Sequence, residues 1–304
     1  MPFRPERREF LAAMSVMAAA TAASSIPCLA ALGDTNIPIG YAAITWGGND
    51  RQAIEDISSL GFHGIQLRSN CIQEFGSPAE LLDLLAKHGL KMVALSSGNL
   101  RIDPAVESEE IARHLANAKF LRDARGLYLQ VIDERPKGRA VTPEDYKRLG
   151  QLLSELGKRT ADFGISLGYH NHMGSMGERP EEIDQIMHAV DPRYAKLELD
   201  VAHYFQGGGD PVAAIRKYHD RLLFLHIKDM EKLSGKVDAQ PSYRFVELGQ
   251  GQVDIPAIFS TLHDVQFHGW AIVELDGVTD KARTPKDSAA ISKKYLEERL
   301  KITI

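Results

Sequence analysis

Two histidines separated by one residue, His170 and His172, stand at the end of an apolar run in the segment GYHNHMG. In a β-strand, residues i and i+2 point to the same face, so both imidazoles would enter one space. A metal ion between them satisfies such a pair, and two hydrogen-bonded core histidines are the alternative. The pair predicts a metal site if other ligands come near.

Further residues of metal-binding type end the next three apolar runs. Asp200 is followed by His203, His226 by Lys228, and Glu274 stands near the end of WAIVELD. Carboxylate and imidazole together suit Mn, Co, Fe or Zn better than Ca or Mg. Buried charges are costly unless they are paired or coordinated, so this coincidence at consecutive strand ends favours one shared divalent-metal site.

The elements that position these residues alternate regularly. Eight short apolar segments read as strands, namely IPIGYAAITW, GIQLRS, KMVALSS, LYLQVID, ISLGYHNH, AKLELDVAH, LLFLHIKD and WAIVELD. Helix starts lie between them, at Asn49, Ser77-Pro78, Thr142-Pro143, Arg179-Pro180, Asp210-Pro211, Asp254 and Thr284-Pro285. Eight such units without a long linker predict a single (β/α)8 TIM barrel, whose active site lies at the carboxyl ends of the strands. A doubly wound open sheet is the alternative, but TWGGND is not its Gly-rich turn.

The N-terminal 30 residues are expected to be a targeting segment. Arg7 and Arg8 precede Phe-Leu and a small, apolar, Ala-rich stretch, the layout of a twin-arginine signal peptide. A transmembrane anchor and a lipoprotein signal are the alternatives. The expected organisation is a signal peptide at 1–30, a barrel at 31–304, a periplasmic location and no stable membrane anchor after cleavage. Only Cys71 would then remain, which excludes an internal disulfide.

Composition limits the class of partner. The chain has 304 residues, 44% of them hydrophobic and 25% charged, and a formal net charge of −5. Because the first 30 residues are slightly basic, the remainder is more acidic still, which argues against nucleic acid or an anionic membrane surface as partner. A small-molecule ligand is expected instead. Self-association into a homo-oligomer is compatible with the sequence.

The motifs GYHNHMG, LELDVAH, FLHIKDM, ELGQGQVDI and WAIVELD, in this order, resemble the sugar phosphate isomerase/epimerase superfamily of xylose isomerase-like barrels. The resemblance extends over roughly residues 37 to 300 and is densest from Gly168 onward. GYHNHMG is most similar to inosose dehydratase-like members. The superfamily includes ketose 3-epimerases, dehydratases and lyases that act on 3-keto glycosides.

The resemblance implies a metal site formed by His170, Asp200, His226 and Glu274, with one divalent ion. His170 stands where many members have Glu, so either His170 or His172 is the ligand. The implied reaction removes a proton beside a sugar carbonyl through an enediolate, as in an isomerase or epimerase. Dehydration or β-elimination on an inosose or 3-keto glycoside is the first alternative. A non-catalytic periplasmic carbohydrate-binding protein is another, and a relative of the endonuclease IV repair enzymes is disfavoured by charge.

Several residues are candidates for roles beyond metal coordination. His172, His203 and Lys228 are the candidates for proton transfer. Trp46, Glu134 and Arg244 are candidates for contact with a carbohydrate, although Glu134 also suits a solvated loop. The remaining histidines, including His114, fall within or beside helical patterns and are expected at the surface.

Overall fold

The structure, a computed structural model, describes residues 37–233 and 242–304. The predicted signal peptide therefore lies outside the described residues. Within them, eight parallel strands close into a barrel, and an additional hairpin forms a separate two-stranded sheet. The predicted (β/α)8 fold is confirmed. No helix in this part of the chain is long and apolar enough to cross a membrane.

The strands and helices alternate in chain order. The strands are β1 Ile39–Ala42, β2 Gly64–Arg68, β3 Lys91–Leu100, β4 Tyr128–Asp133, β5 Ser166–His170, β6 Ala195–Asp200, β7 Leu222–Ile227, β8 Asp229–Lys232, β9 Tyr243–Val246 and β10 Ala271–Val273. The helices are α1 Asp50–Ser59, α2 Cys71–Phe75, α3 Pro78–Lys87, α4 Glu107–Asp123, α5 Pro143–Ala161, α6 Pro180–Ala189, α7 Val201–Gln206, α8 Pro211–Tyr218, α9 Ile255–Asp264 and α10 Pro285–Leu300.

All eight predicted strands are present, as β1 to β7 and β10. Helices begin at the predicted starts, and some of these starts carry side-chain caps; Asn49 accepts from Gln52 N and Asp254 from Ala257 N. The hairpin of β8 and β9 and the helix α4 were not predicted. Neither has a strong local signal: the hairpin strands are four residues long, and α4 begins without a capping side chain.

The expectation that His114 lies at the surface is wrong. His114, on α4, is fully buried and its Nδ1 lies 2.6 Å from Ser97 Oγ on β3. The pattern of α4 is misleading because its buried face carries polar residues, Glu110 and His114, among the apolar ones. The helix is therefore packed against the barrel by hydrogen bonds as well as by apolar contact.

Polar side chains cross the barrel interior near the carboxyl ends of its strands. Gln66 on β2 donates to Gln130 on β4 at 3.2 Å, and Gln130 donates to Glu198 on β6 at 3.0 Å. These strands are not neighbours in the sheet, so the contacts pass through the interior. The interior thus changes from an apolar layer that includes Phe224 and Ile272 to a hydrogen-bonded polar layer.

Candidate metal centre

The carboxyl ends of β5, β6, β7 and β10 bring the four expected ligands together. His170 and Asp200 are the last residues of their strands, His226 is the penultimate residue of β7, and Glu274 directly follows β10. All four are buried. Ligand atoms of His170, Asp200 and His226 lie within 4.8 Å of one another, and Glu274 Oε1 is 3.3 Å from His226 Nδ1.

His226 is oriented by the polar layer below it. Its Nε2 lies 2.8 Å from Glu198 Oε1 and 2.9 Å from Gln66 Oε1, which fixes the proton on Nε2. Its Nδ1 then faces Asp200 Oδ2 at 3.5 Å. At metal sites, a ligating histidine commonly donates one ring N–H to a carboxylate and coordinates the metal through its other nitrogen.

Among the buried polar atoms that have no hydrogen-bond partner within the described residues, three belong to the expected metal ligands. They are His170 Nδ1, Asp200 Oδ2 and His226 Nδ1. Leaving such atoms unpaired costs ~1–3 kcal/mol each, more for charged groups. One divalent ion coordinated by all three would remove this cost, so the residues present fit a metal. Two imidazoles with carboxylates suit Mn, Co, Fe or Zn.

The electrostatics of the centre agree with this donor set. Burial lowers the pKa of His170, and the neighbouring His226 lowers it further, so His170 is neutral. Burial alone would raise the pKa of Glu274, but the charges of His226 and Lys228 outweigh burial and hold this pKa well below its usual value. The pKa of His226 is raised well above its ordinary value because Glu198 and Glu274 outweigh its burial. Metal binding must therefore displace a proton from His226.

Lys228 is a fully buried cation beside the ligands. Its Nζ lies 3.0 Å from Glu274 Oε1 and 2.5 Å from Asp276 Oδ1. Phe245 of the β8–β9 hairpin covers it, with Nζ 4.0 Å from the ring centroid. Burial lowers its pKa, but Glu274 and Asp276 outweigh burial and raise the pKa above its usual value. Lys228 is thus protonated at neutral pH.

His203 and His172 form a pair next to the ligands. Their ring centroids are 4.0 Å apart, and Lys228 Nζ is 3.4 Å from His203 Nε2. Burial and the Lys228 charge hold the pKa of His203 well below its ordinary value. His172 is half-buried, and its Nδ1 lies 2.7 Å from Met173 O. That contact requires Nδ1 to donate, which leaves Nε2 as the basic nitrogen.

A cavity of about 210 Å³ opens onto the centre. Its lining includes His170, His172, Glu274 and Asp276 on one side, with Gln66 and Gln130 also present. Pockets for drug-sized ligands measure roughly 300–1,000 Å³, so this cavity favours a single small ring. Of the three proton-transfer candidates, only His172 belongs to the lining.

The three predicted substrate-contact residues lie away from this lining. Trp46 is buried, donates to Asp56 Oδ2 at 2.9 Å and packs on Tyr41. Glu134 pairs with Lys137, and Arg244 on β9 pairs with Glu231 across the hairpin. Their roles in substrate contact stay predictions. In these positions, each side chain already has a polar partner.

Sequence reasoning missed Glu198, Gln130 and Asp276. Glu198 stands two residues before Asp200 in LELD, and Asp276 two residues after Glu274 in ELD, so period-two spacing was the available signal. Gln130 stands inside an apolar run where a buried amide is unusual. The motif ELGQGQVDI has a structural role. The backbone N–H groups of Gly249, Gly251 and Val253 donate to the Asp229 carboxylate.

The fold and the centre define a (β/α)8 barrel enzyme with a buried site for a divalent metal. The family model of the xylose isomerase-like TIM barrel matches residues 54–299. The chain belongs to this family, as the resemblance of its motifs implied.

Named relatives agree with this assignment. Inosose dehydratase of Clostridium tetani is 26% identical over 298 residues, covering 88% of this chain and 98% of the relative. The rhizopine catabolism protein MocC of Rhizobium meliloti is 28% identical over 273 residues, covering 79% and 82%. Among solved structures, the IolI protein with a bound zinc atom has a TM-score of 0.74 at 19% identity, covering 87% of this chain and 98% of that one.

Proposed function

We propose that this protein is a metal-dependent dehydratase that removes water from an inosose or a closely related keto-sugar. The sequence alone favoured isomerisation or epimerisation, with elimination as the alternative. The relatives support elimination better, since several full-length matches are inosose dehydratases. The observation that carries the proposal is the set of unpartnered buried donors on His170, Asp200 and His226 beside a ring-sized cavity.

His170, Asp200, His226 and Glu274 would hold the ion, with His170 rather than His172 as the histidine of β5. His170 ends the strand with an unpartnered Nδ1, whereas His172 lines the cavity and has its Nδ1 engaged by Met173 O. A bound divalent ion supplies a Lewis acid that polarises the substrate ketone. The candidate ions are Mn, Co, Fe and Zn. The solved structure of the IolI protein contains zinc.

Among the chain's own groups, one would transfer protons and two would position the site. We assign His172 Nε2 to remove the proton on the carbon beside the ketone; of the three proton-transfer candidates, His172 alone lines the cavity, which supports this assignment. Lys228 holds Glu274 and Asp276 in place and keeps positive charge beside the site. His203 is neutral, and its ring lies 4.0 Å from that of His172 at an angle of 44°, so it can support the orientation of His172. The proton taken up by His172 would then pass to the departing β-hydroxyl, which leaves as water while the carbon–carbon double bond forms.

The test is turnover of an inosose in heavy water. The wild type should exchange the α proton for deuterium and release an unsaturated ketone with new ultraviolet absorption. His226→Ala should lose bound metal and both signals, while His172→Ala should keep the metal yet lose rate by ~10²-fold or more. Exposed His188→Ala is the matched control and should behave as the wild type.

Other results would replace the proposal. Deuterated sugar recovered without loss of water would mean isomerisation or epimerisation. Binding of keto-sugars and inososes without exchange at any carbon would favour a carbohydrate-binding protein. Full metal occupancy in His226→Ala would refute the ligand set.

We further propose that the protein is exported to the periplasm by the twin-arginine route, on the sequence of residues 7–11 and the small apolar stretch that follows. This route carries folded proteins, so the metal could be loaded before export.

A further inference from the structure

The cavity has a second polar wall opposite the histidines. This β2–β3 wall consists of Arg68 and Ser69 at the end of β2, and Ser96, Gly98 and Asn99 near the end of β3. The two strand ends are joined by a backbone hydrogen bond from Ser69 N to Ser96 O at 3.0 Å. None of these residues belongs to the metal centre, and none is used in the proton transfers above.

The side chains of this wall offer polar groups that are open to a ligand, since Arg68 and Asn99 are exposed and Ser69 and Ser96 are half-buried. Across residues 37–233 and 242–304, the Arg68 guanidinium has no hydrogen-bond or ion-pair partner, and the same is true of the Asn99 amide and the Ser69 and Ser96 hydroxyls. Most other arginines of the barrel rim are paired, for example Arg101 with Glu110 and Arg135 with Glu182. Unpaired donors that converge on one cavity are a ligand-binding arrangement.

The backbone of the wall is fixed by a hydrogen-bond network from α4. The β3–β4 pairing shifts register between Ser96 and Asn99, and Gly98 has a positive φ of 85° that favours glycine. Arg113 donates to Ser97 O at 2.9 Å and to Asn99 O at 2.5 Å. The Ser97 hydroxyl donates to His114 Nδ1, whose Nε2 faces Asn99 O at 3.2 Å.

This network leaves the Asn99 side chain as the part available to a ligand. Its carbonyl is already bound by two donors from α4, and the irregular strand end is held rather than free to rearrange. A rigid strand end positions polar groups at low entropic cost on binding. The buried Ser97–His114 pair therefore serves the geometry of the cavity.

We propose that the β2–β3 wall is the subsite that recognises vicinal hydroxyls on the part of the substrate ring remote from its ketone. The planar guanidinium of Arg68 presents parallel N–H donors that match two adjacent oxygens, and Asn99 and the serines add donors and acceptors beside it. The ketone faces the metal wall and the hydroxyls face the β2–β3 wall. This inference rests on the proposed function for the orientation of the ring, but not for the existence of the subsite.

The test compares Arg68→Ala and Arg68→Lys with the wild type and with Arg216→Ala, an exposed arginine on α8 that pairs with Asp264. For an inosose, Arg68→Ala should raise KM about tenfold or more while kcat and metal content stay close to wild-type values. Arg68→Lys should restore little of the lost affinity, because a lysine ammonium lacks the parallel N–H donors of the guanidinium. Calorimetric binding of myo-inositol, which has the hydroxyls but no ketone, should weaken in parallel.

The outcomes separate the subsite from the reaction. A wild type that turns over inososes and an Arg68→Ala variant with unchanged KM would overturn the subsite and leave the function standing. A wild type without turnover refutes the dehydratase, and weaker inositol binding by Arg68→Ala would still support the subsite. If the wild type binds neither the inosose nor myo-inositol, the subsite is overturned. The protein could instead bind a ring keto acid more tightly than inositol, with that binding kept in Arg68→Lys. This result would indicate a subsite for a carboxylate and would overturn the vicinal-hydroxyl assignment.

Discussion

At the scale of single residues, Glu198 determines how His226 meets a metal. It is fully buried, and its Oε1 accepts from both His226 Nε2 and Gln130 Nε2. Burial raises the pKa of Glu198 to about 7, although the charge of His226 opposes the shift. The contact with His226 therefore favours the ionised form of Glu198, and Glu198 in turn orients His226.

We expect Glu198→Gln to bind the metal roughly 10–100-fold more weakly, because the amide orients His226 Nδ1 less firmly and lowers its basicity. Competition with a chromophoric chelator measures this affinity. The exposed Glu181→Gln on α6 is the control and should match the wild type. Equal affinity in Glu198→Gln would show that Glu198 only fills space in the barrel.

At the scale of elements, α4 and the end of β3 act as one unit. His114 is neutral there, since its Nδ1 accepts from Ser97 and its Nε2 faces the Asn99 carbonyl. Burial, assisted by the charge of Arg113, lowers the pKa of His114 from 6.5 to about 4. Protonation would remove the acceptor of the Ser97 hydroxyl and place a second cation beside Arg113.

This shift predicts how stability depends on pH. The folded-state pKa is depressed, so unfolded chains take up a proton first, and the stabilisation present above pH ~6.5 is lost as pH falls towards ~4. At ~1.4 kcal/mol per pKa unit, His114 accounts for up to ~3 kcal/mol of this loss.

Urea unfolding at pH 7 and pH 4.5 measures the effect. His114→Gln should be less stable at pH 7 but should lose less free energy of unfolding between the two pH values. His188→Gln, an exposed variant, should keep the wild-type difference. An identical loss in His114→Gln and wild type would contradict the assignment.

At the scale of the whole molecule, the proposed export route makes a separate prediction. Replacing Arg7 and Arg8 with Lys should leave uncleaved precursor in the cytoplasm, because the twin-arginine receptor reads the pair. Cell fractionation followed by immunoblotting measures this. Arg4→Lys, outside the pair, is the control. Unchanged periplasmic accumulation of the double variant would show that another route carries the protein.

The sequence alone determined the architecture and the ends of the strands. Apolar segments of strand length, capping residues such as Asn49 and Asp254, and polar residues at strand ends are local signals, and a barrel places all carboxyl ends on one face. The meeting of His170, Asp200, His226 and Glu274 follows from these signals once the barrel closes.

Only the tertiary structure decided which side chains face the cavity. Glu198 and Gln130 meet because nonadjacent strands face each other across the barrel, and Arg68 lines the cavity from the end of β2. Arg244 pairs within the unpredicted hairpin instead. Contacts of this kind depend on register and closure between strands far apart in the chain, and no periodicity within one segment records them.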